Sequence, residues 1–284
     1  MENRTLLGKE DGLVMNEDVG SWTPEKYRQI QLYMHQFTTG MKDKWRGKLT
    51  FVDLFAGTGL SRLKQTGEIL LGSPLIALSM DQRFAKYIFC DEDTNKISVL
   101  KQRVSHLHAE ADVQYFVGNC NDPKTDIDSL IPLNSLTLCF VDPYDMSVRL
   151  ETLKRLSSHN RRVDFLCLIA SGTDAARNIH NYTKEESLKL DQCLGDSDWR
   201  KDWERVWNAS GKRPNLGEFV RDQLSKRMET IGYLKTDPYE MRPIKNDGNV
   251  LLYHLALYTK NELGKKFWNN ASKHSTAQRT LDFD

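Results

Sequence analysis

The chain has 284 residues, enough to bury a full core, and carries 40 basic against 39 acidic residues. A balance this even argues against a protein that coats nucleic acid through a surplus of cations, without excluding a local basic patch. Five cysteines without a CxxC pair, four of them (Cys90, Cys120, Cys139, Cys167) in or beside apolar runs, read as buried reduced thiols in a reducing compartment. The N-terminus has no apolar signal segment, and no stretch approaches the ~18 apolar residues of a membrane span, so a soluble cytoplasmic protein is expected.

Residues 1–20 are polar, glycine-containing and aperiodic, which predicts a flexible lead-in. From Ser21 the pattern sharpens. SWTPEKY offers Thr23 as an N-cap and Pro24 at the first helical position, and apolar residues at 27, 30, 34 and 37 follow at helical spacing. Residues 49–55 read as a buried strand, 60–71 as a polar loop, and GSPLIALSM as a helix capped by Ser73 with Pro74 in its first turn. Strands at 85–91, 112–118, 135–142 and 164–171 then alternate with helical stretches from 93 and at 148–158.

Residues 172–230 break this rhythm and read as a mostly helical insertion. Within it Trp199, Trp203 and Trp207 recur every four residues on one helix face, which suits packing on the core, or a platform on which bases stack. The chain then returns to strands, YEMRPI and VLLYHLALYT, as a hairpin with Asp247-Gly248 as its turn signal. Near-continuous apolar strands alternating with helices predict an α/β fold: a doubly wound, Rossmann-like, mainly parallel sheet ending in an antiparallel hairpin. Ligands of such sheets bind beyond the carboxyl ends of the strands.

The candidate site lies at those ends. FVDLFAGTG brings Asp53 to the end of the first strand and follows it with Gly57 and Gly59, which permit a tight turn and close approach of a ligand to the backbone. Asp91 ends the second strand, where a carboxylate can hold ribose hydroxyls. Asn119 follows the third in GNCND, and Asp142 ends the fourth in VDPYD. A nicotinamide dehydrogenase would want GxGxxG opening directly into a helix; here Arg62 stands in the place of the third glycine, and about a dozen residues separate GTG from the next helix.

This set resembles the class I S-adenosylmethionine (SAM)-dependent methyltransferases, through DLFAGTG, Asp91, GNCN and DPY. That family's sheet also ends in an antiparallel hairpin. The resemblance implies SAM as cofactor, with Asp53 and the loop Phe55, Ala56, Gly57 and Gly59 at its methionine half, Asp91 at its ribose, Asn119 at its adenine, and Cys120 among the cofactor-binding residues. Many members carry Asp where this chain has Asn119. The chain is also similar to the three-Cys-motif partner (TcmP) family, through SWTPEKY, GSPLIAL, FVDPY, LGDSDWR and the segment YEMRPIKNDGNVLLYHLALYTKNELGKKFW. This likeness runs over nearly the whole chain after the lead-in. It implies a single methyltransferase-like domain at 21–284 and a three-Cys-motif protein as partner.

VDPYD resembles the DPPY-type motif of amino methyltransferases with one proline fewer, which implies Asp142, Pro143 and Tyr144 as the catalytic group. An acid or carbonyl accepting the N–H bonds of a planar amino group favours its reacting, pyramidal form, and an aromatic ring can stack on that group. SGTDAARNIHN, after the fifth strand, offers Asp174, Arg177 and Asn178 for the substrate side. The expected activity is methylation of an amino nitrogen of a nucleobase in RNA or DNA, reached in a single strand or flipped out. The pairs Arg161–Arg162, Arg200–Lys201 and Lys265–Lys266 are candidates for phosphate. The alternatives are a methyltransferase of a peptide or small molecule, which the neutral charge favours, and a non-catalytic SAM-fold subunit. No His/Cys cluster has metal-ligand spacing, and no nucleophile–His–acid set assembles.

Overall fold

The computed structural model describes residues 6–279, with side chains as far as residue 271. Residues 1–5 of the expected lead-in and 280–284 of the expected domain lie outside the described residues. Helix α1 (Thr23–Met41) turns Tyr27, Ile30, Met34 and Phe37 inward, the spacing expected from sequence. Its start differs: Thr23 is already helical, Trp22 precedes it, and no side chain caps the first turn. The same correction applies to α2 (Ser73–Leu78), where Gly72 holds the cap position and Ser73 is the first helical residue.

The main sheet has seven strands. They are β1 (Leu49–Asp53), β4 (Lys86–Asp91), β5 (Val113–Val117), β6 (Leu136–Val141), β7 (Arg162–Ile169), β8 (Arg242–Lys245) and β9 (Leu251–Tyr258), in the order β5-β4-β1-β6-β7-β9-β8. All pairings from β5 to β7 are parallel; β9 is antiparallel to both β7 and β8. The hairpin loop between β8 and β9 departs from its expected turn signal. Asn249, not Gly248, has the left-handed backbone (φ 58°), and Asn246 closes the loop by bonding both ways with Val250.

The strands are apolar on both faces because both are covered. Phe51, Leu138 and Phe140 point to a core built with α1, α2, α3 (Thr94–Leu107) and α9 (Glu262–Arg279). Val52, Cys139 and Val141, the alternate positions, point to a second core. It is closed by α4 (Leu150–Leu156), α6 (Lys189–Leu194), α7 (Trp199–Ser210) and α8 (Leu216–Thr230). Helices α5 (Thr173–Tyr182) to α8 occupy the interval expected to be a helical insertion. Trp199 and Trp203 of α7 are buried there, while Trp207 is 41% exposed, so two of the three tryptophans pack on the core.

Two stretches read as irregular are organised. Within the expected polar loop, β2 (Leu60–Arg62) pairs antiparallel with β3 (Ile69–Leu71). Residues 6–20, expected to be a flexible lead-in, lie along this hairpin: Gly8 donates to the Ile69 carbonyl, Asn16 to Leu60 and Val19 to Arg62, each at 2.8 Å. No helix among the described residues is long and apolar enough to cross a membrane.

Candidate functional site

The chain leaves β1 at the point where the sheet order reverses, with β4 on one side and β6 on the other. The exit loop is pinned to both neighbours, Leu54 N–H to the Phe140 carbonyl at 3.1 Å and Ala56 N–H to Cys90 at 2.8 Å. A crevice at such a switch point is where open α/β sheets bind ligands.

Asp53 is fully buried. One carboxylate oxygen accepts the Phe55 amide at 3.1 Å; the other, Oδ2, has no hydrogen-bond partner. Burial pushes its pKa up to about 7 against the pull of the Ser73 hydroxyl and the Phe55 amide, and the negative charges of Asp142 and Asp91 add to the rise. With a pKa of about 7, the carboxyl can carry a proton on that oxygen or accept a donor there. Asp91, half-buried, accepts the Gly57 amide on one oxygen and the Asp93 amide on the other, each at 3.0 Å.

Gly57 and Gly59 both have left-handed backbones (φ 60° and 88°), as a tight loop requires. The space beside them is taken by the chain itself. A Cβ on Gly57 would lie 2.5 Å from Asn16 Oδ1, and one on Gly59 would lie 2.9 Å from Leu100 Cδ1. The glycines therefore admit the lead-in and α3. Phe55 is half-buried against the core and Ala56 is buried. Asn119 is exposed, with Oδ1 accepting the Asn121 amide at 2.9 Å. Cys120 is buried, and burial pushes its thiol up to about 11.

At the end of β6, Asp142 is not free. Lys26 of α1 donates to its Oδ2 at 2.7 Å, with side-chain exposures of 11% and 20%. Burial lowers the Lys26 pKa, but Asp142, with Tyr27 and Tyr253, outweighs it and raises the net value, so the ammonium stays charged. Pro143 is buried, whereas Tyr144 stands 73% exposed at the mouth. Tyr27, pushed up to about 12 by burial, and Tyr253 both sense the Lys26–Asp142 pair.

After β7, where the sequence pointed to a substrate contact, Asp174 is turned onto its own helix, accepting from Asn178 Nδ2 at 2.8 Å and from the Tyr182 hydroxyl at 2.9 Å. Burial raises its pKa. Arg177 is exposed. Asp53 thus feels the charges of Asp91 and Asp142, and Tyr253 senses both Asp142 and Asp174.

Several of the candidate phosphate contacts are engaged with carboxylates instead. Arg161 lies 3.6 Å from Asp128, Arg200 pairs with Asp191, Lys201 with Asp198 at 3.0 Å, and Lys265 with Glu240 at 3.0 Å. Arg162 stacks over Trp45. A buried Ser171–His254 contact of 2.6 Å also lies at this edge of the sheet. Its histidine meets Arg221 at 3.5 Å, which stands between it and Asp222, and burial lowers its pKa to about 4, so it is not a charge-relay set.

Sequence reasoning missed Lys26, Asn16 and Arg103. Lys26 lies within SWTPEKY, where nothing local separates it from a solvated helix lysine. Asn16 and Arg103 carry no local signal; contacts 42 and 45 residues distant bring them to Thr58.

No family model matches the chain, and no curated protein does. Among solved structures the chain is similar to a geranyl diphosphate methyltransferase in complex with SAM, at 12% identity and TM-score 0.45, covering 84% of this chain and 86% of that one. It is also similar to magnesium protoporphyrin IX methyltransferase from Synechocystis PCC 6803 with bound SAH (9%, TM-score 0.39, 81% and 83%). A third is a putative RNA methyltransferase from Pyrococcus horikoshii (14%, TM-score 0.39, 87% and 91%).

Proposed function

We propose that this chain is a SAM-dependent methyltransferase acting on an amino nitrogen of a nucleobase in RNA or DNA, similar in its motifs to the three-Cys-motif partner family. The observation that carries the reading is the row of polar residues, Asp53, Asp91, Asn119 and Asp142, at the carboxyl ends of four adjacent parallel strands around the switch point. The reversed strand β9 supports it, since the resemblance implied a sheet ending in an antiparallel hairpin.

The residues present fit this cofactor. The unpartnered Oδ2 of Asp53 suits an ammonium group such as that of the methionine half. Asp91 keeps lone pairs for ribose hydroxyls beyond the two amides it accepts. Asn119, exposed, presents an amide to an adenine edge. SAM, when bound, supplies a methyl group on a sulfonium. The chain's own residues would orient the acceptor nitrogen: Asp142 and the Pro143 carbonyl would accept its N–H bonds, and the exposed Tyr144 ring would stack on the planar group. Because Lys26 occupies Asp142 Oδ2, the role of Asp142 is acceptance and orientation through Oδ1, and the proton shed by the methylated nitrogen passes to water.

A peptide or small molecule is the second reading of the substrate. The engagement of Arg161, Arg200, Lys201 and Lys265 with carboxylates favours it. The test is calorimetry of SAM and S-adenosylhomocysteine with the wild type and Asp91→Ala. Binding at micromolar concentration, lost in the variant, supports the cofactor reading; no binding by a folded wild type refutes it. With binding in hand, Asp142→Ala should abolish methyl transfer and keep S-adenosylhomocysteine bound. A steep salt dependence of RNA or DNA binding would select the nucleobase reading over the second.

A further inference from the structure

The loop at Gly57–Gly59 is held from outside. Its middle residue, Thr58, has both backbone groups taken by side chains remote in sequence. Asn16 Oδ1 accepts the Thr58 N–H at 2.8 Å, and Arg103 Nη1 donates to the Thr58 carbonyl at 2.7 Å. Arg103 is 1% exposed. It is gripped in turn by Asp11 through two bonds of 2.7 and 2.9 Å, and by the Leu13 carbonyl at 3.2 Å. Asn16 is fixed by its own amide on Leu60 at 2.8 Å and by a longer bond from Nδ2 to Ser61 at 3.4 Å. Residues 11–16 therefore form a strap over the loop, and α3 supplies the buckle.

Two left-handed residues within three is a conformation that glycine permits but does not enforce; a free loop of this sequence samples many others. With its N–H and C=O satisfied from two directions, Thr58 has one arrangement left. We infer that Asn16 and Arg103 are positioning residues for the ligand loop. They hold Phe55–Gly59 in the shape that receives the amino-acid and ribose parts of an adenosyl-sulfonium ligand, so that binding does not have to order the loop. This rests on the cofactor reading above. It makes the lead-in part of the site: Asp11, partly exposed, reaches the ligand only through Arg103 and Thr58.

The test uses S-adenosylhomocysteine calorimetry on the full chain and on Asn16→Ala, Asn16→Asp and Asp11→Asn, with thermal midpoints and amide hydrogen exchange at Thr58. If the loop then holds the receptive shape for a tenth of the time, affinity falls about tenfold; that is the result expected for Asn16→Ala and Asp11→Asn. Asn16→Asp, isosteric and still an acceptor, should keep affinity within about threefold. A lower thermal midpoint in Asn16→Ala with unchanged affinity overturns the inference and leaves the strap a plain structural contact. Should the wild type bind no S-adenosylhomocysteine, the cofactor reading fails. The hold on the loop is then judged from exchange alone, where unaltered protection of the Thr58 amide in Asn16→Ala refutes it.

Discussion

Replacing Lys26 by methionine removes the cation from Asp142 while keeping most of the stem's apolar contact. The pair is close, 2.7 Å, and its side chains keep only 11% and 20% of their exposure. Removing one partner of a buried pair costs about 3–5 kcal/mol, because the remaining charge is stranded. Asp142 retains contact with water, so the lower end, about 3 kcal/mol, is expected for Lys26→Met. In a domain of this size that lowers the thermal midpoint by roughly 6–12 °C. The double variant Lys26→Met/Asp142→Asn strands nothing and should be less destabilised than the sum of the singles, with a coupling of about 2 kcal/mol. Urea unfolding followed by tryptophan fluorescence on all four proteins gives the cycle. A coupling under about 0.5 kcal/mol, the level of an exposed pair, would refute the view that α1 locks the end of β6 through this contact.

Asp53 gives a pH prediction. Its folded pKa is raised by burial from 3.8 to about 7, so the folded state binds that proton more tightly than the unfolded state does. The stability it contributes is complete below about pH 4 and is lost as pH rises through 7. Asp53→Asn, which cannot ionise, should therefore gain on the wild type between pH 5 and pH 7 by up to about 1.4 kcal/mol per pH unit; thermal melts showing a constant difference would contradict this. Gly217, at the start of α8, presses on the end of β7: a Cβ there would stand 1.8 Å from the Ser171 carbonyl oxygen. Gly217→Ala should cost about 3 kcal/mol in urea unfolding, and a loss below 0.5 kcal/mol would show that the contact gives way.

The sheet was legible because burial on both faces makes parallel strands nearly continuous apolar runs, and the helices between them carry a clear period. The same run lengths brought Asp53, Asp91, Asn119 and Asp142 to one edge, since each ends its strand or stands within two residues of that end. The β2–β3 hairpin was not legible. Its strands have three residues each, too few for an alternating pattern to stand out from a loop. The cap positions at α1 and α2 slipped by one residue, because a serine or threonine beside a proline reads the same whether it stands outside the helix or inside its first turn.

Sequence alone determined the layer order, the polar edge and the loop with its two glycines, all set by local pattern and strand length. Tertiary structure alone decided what those residues face. Lys26 neutralises Asp142, Asn16 fills the space beside Gly57, and Arg103 reaches through to Thr58, each across many residues of chain. No local pattern encodes such contacts: a lysine or arginine on a helix looks solvated until packing removes the water, and only then does its charge require the partner that the fold supplies.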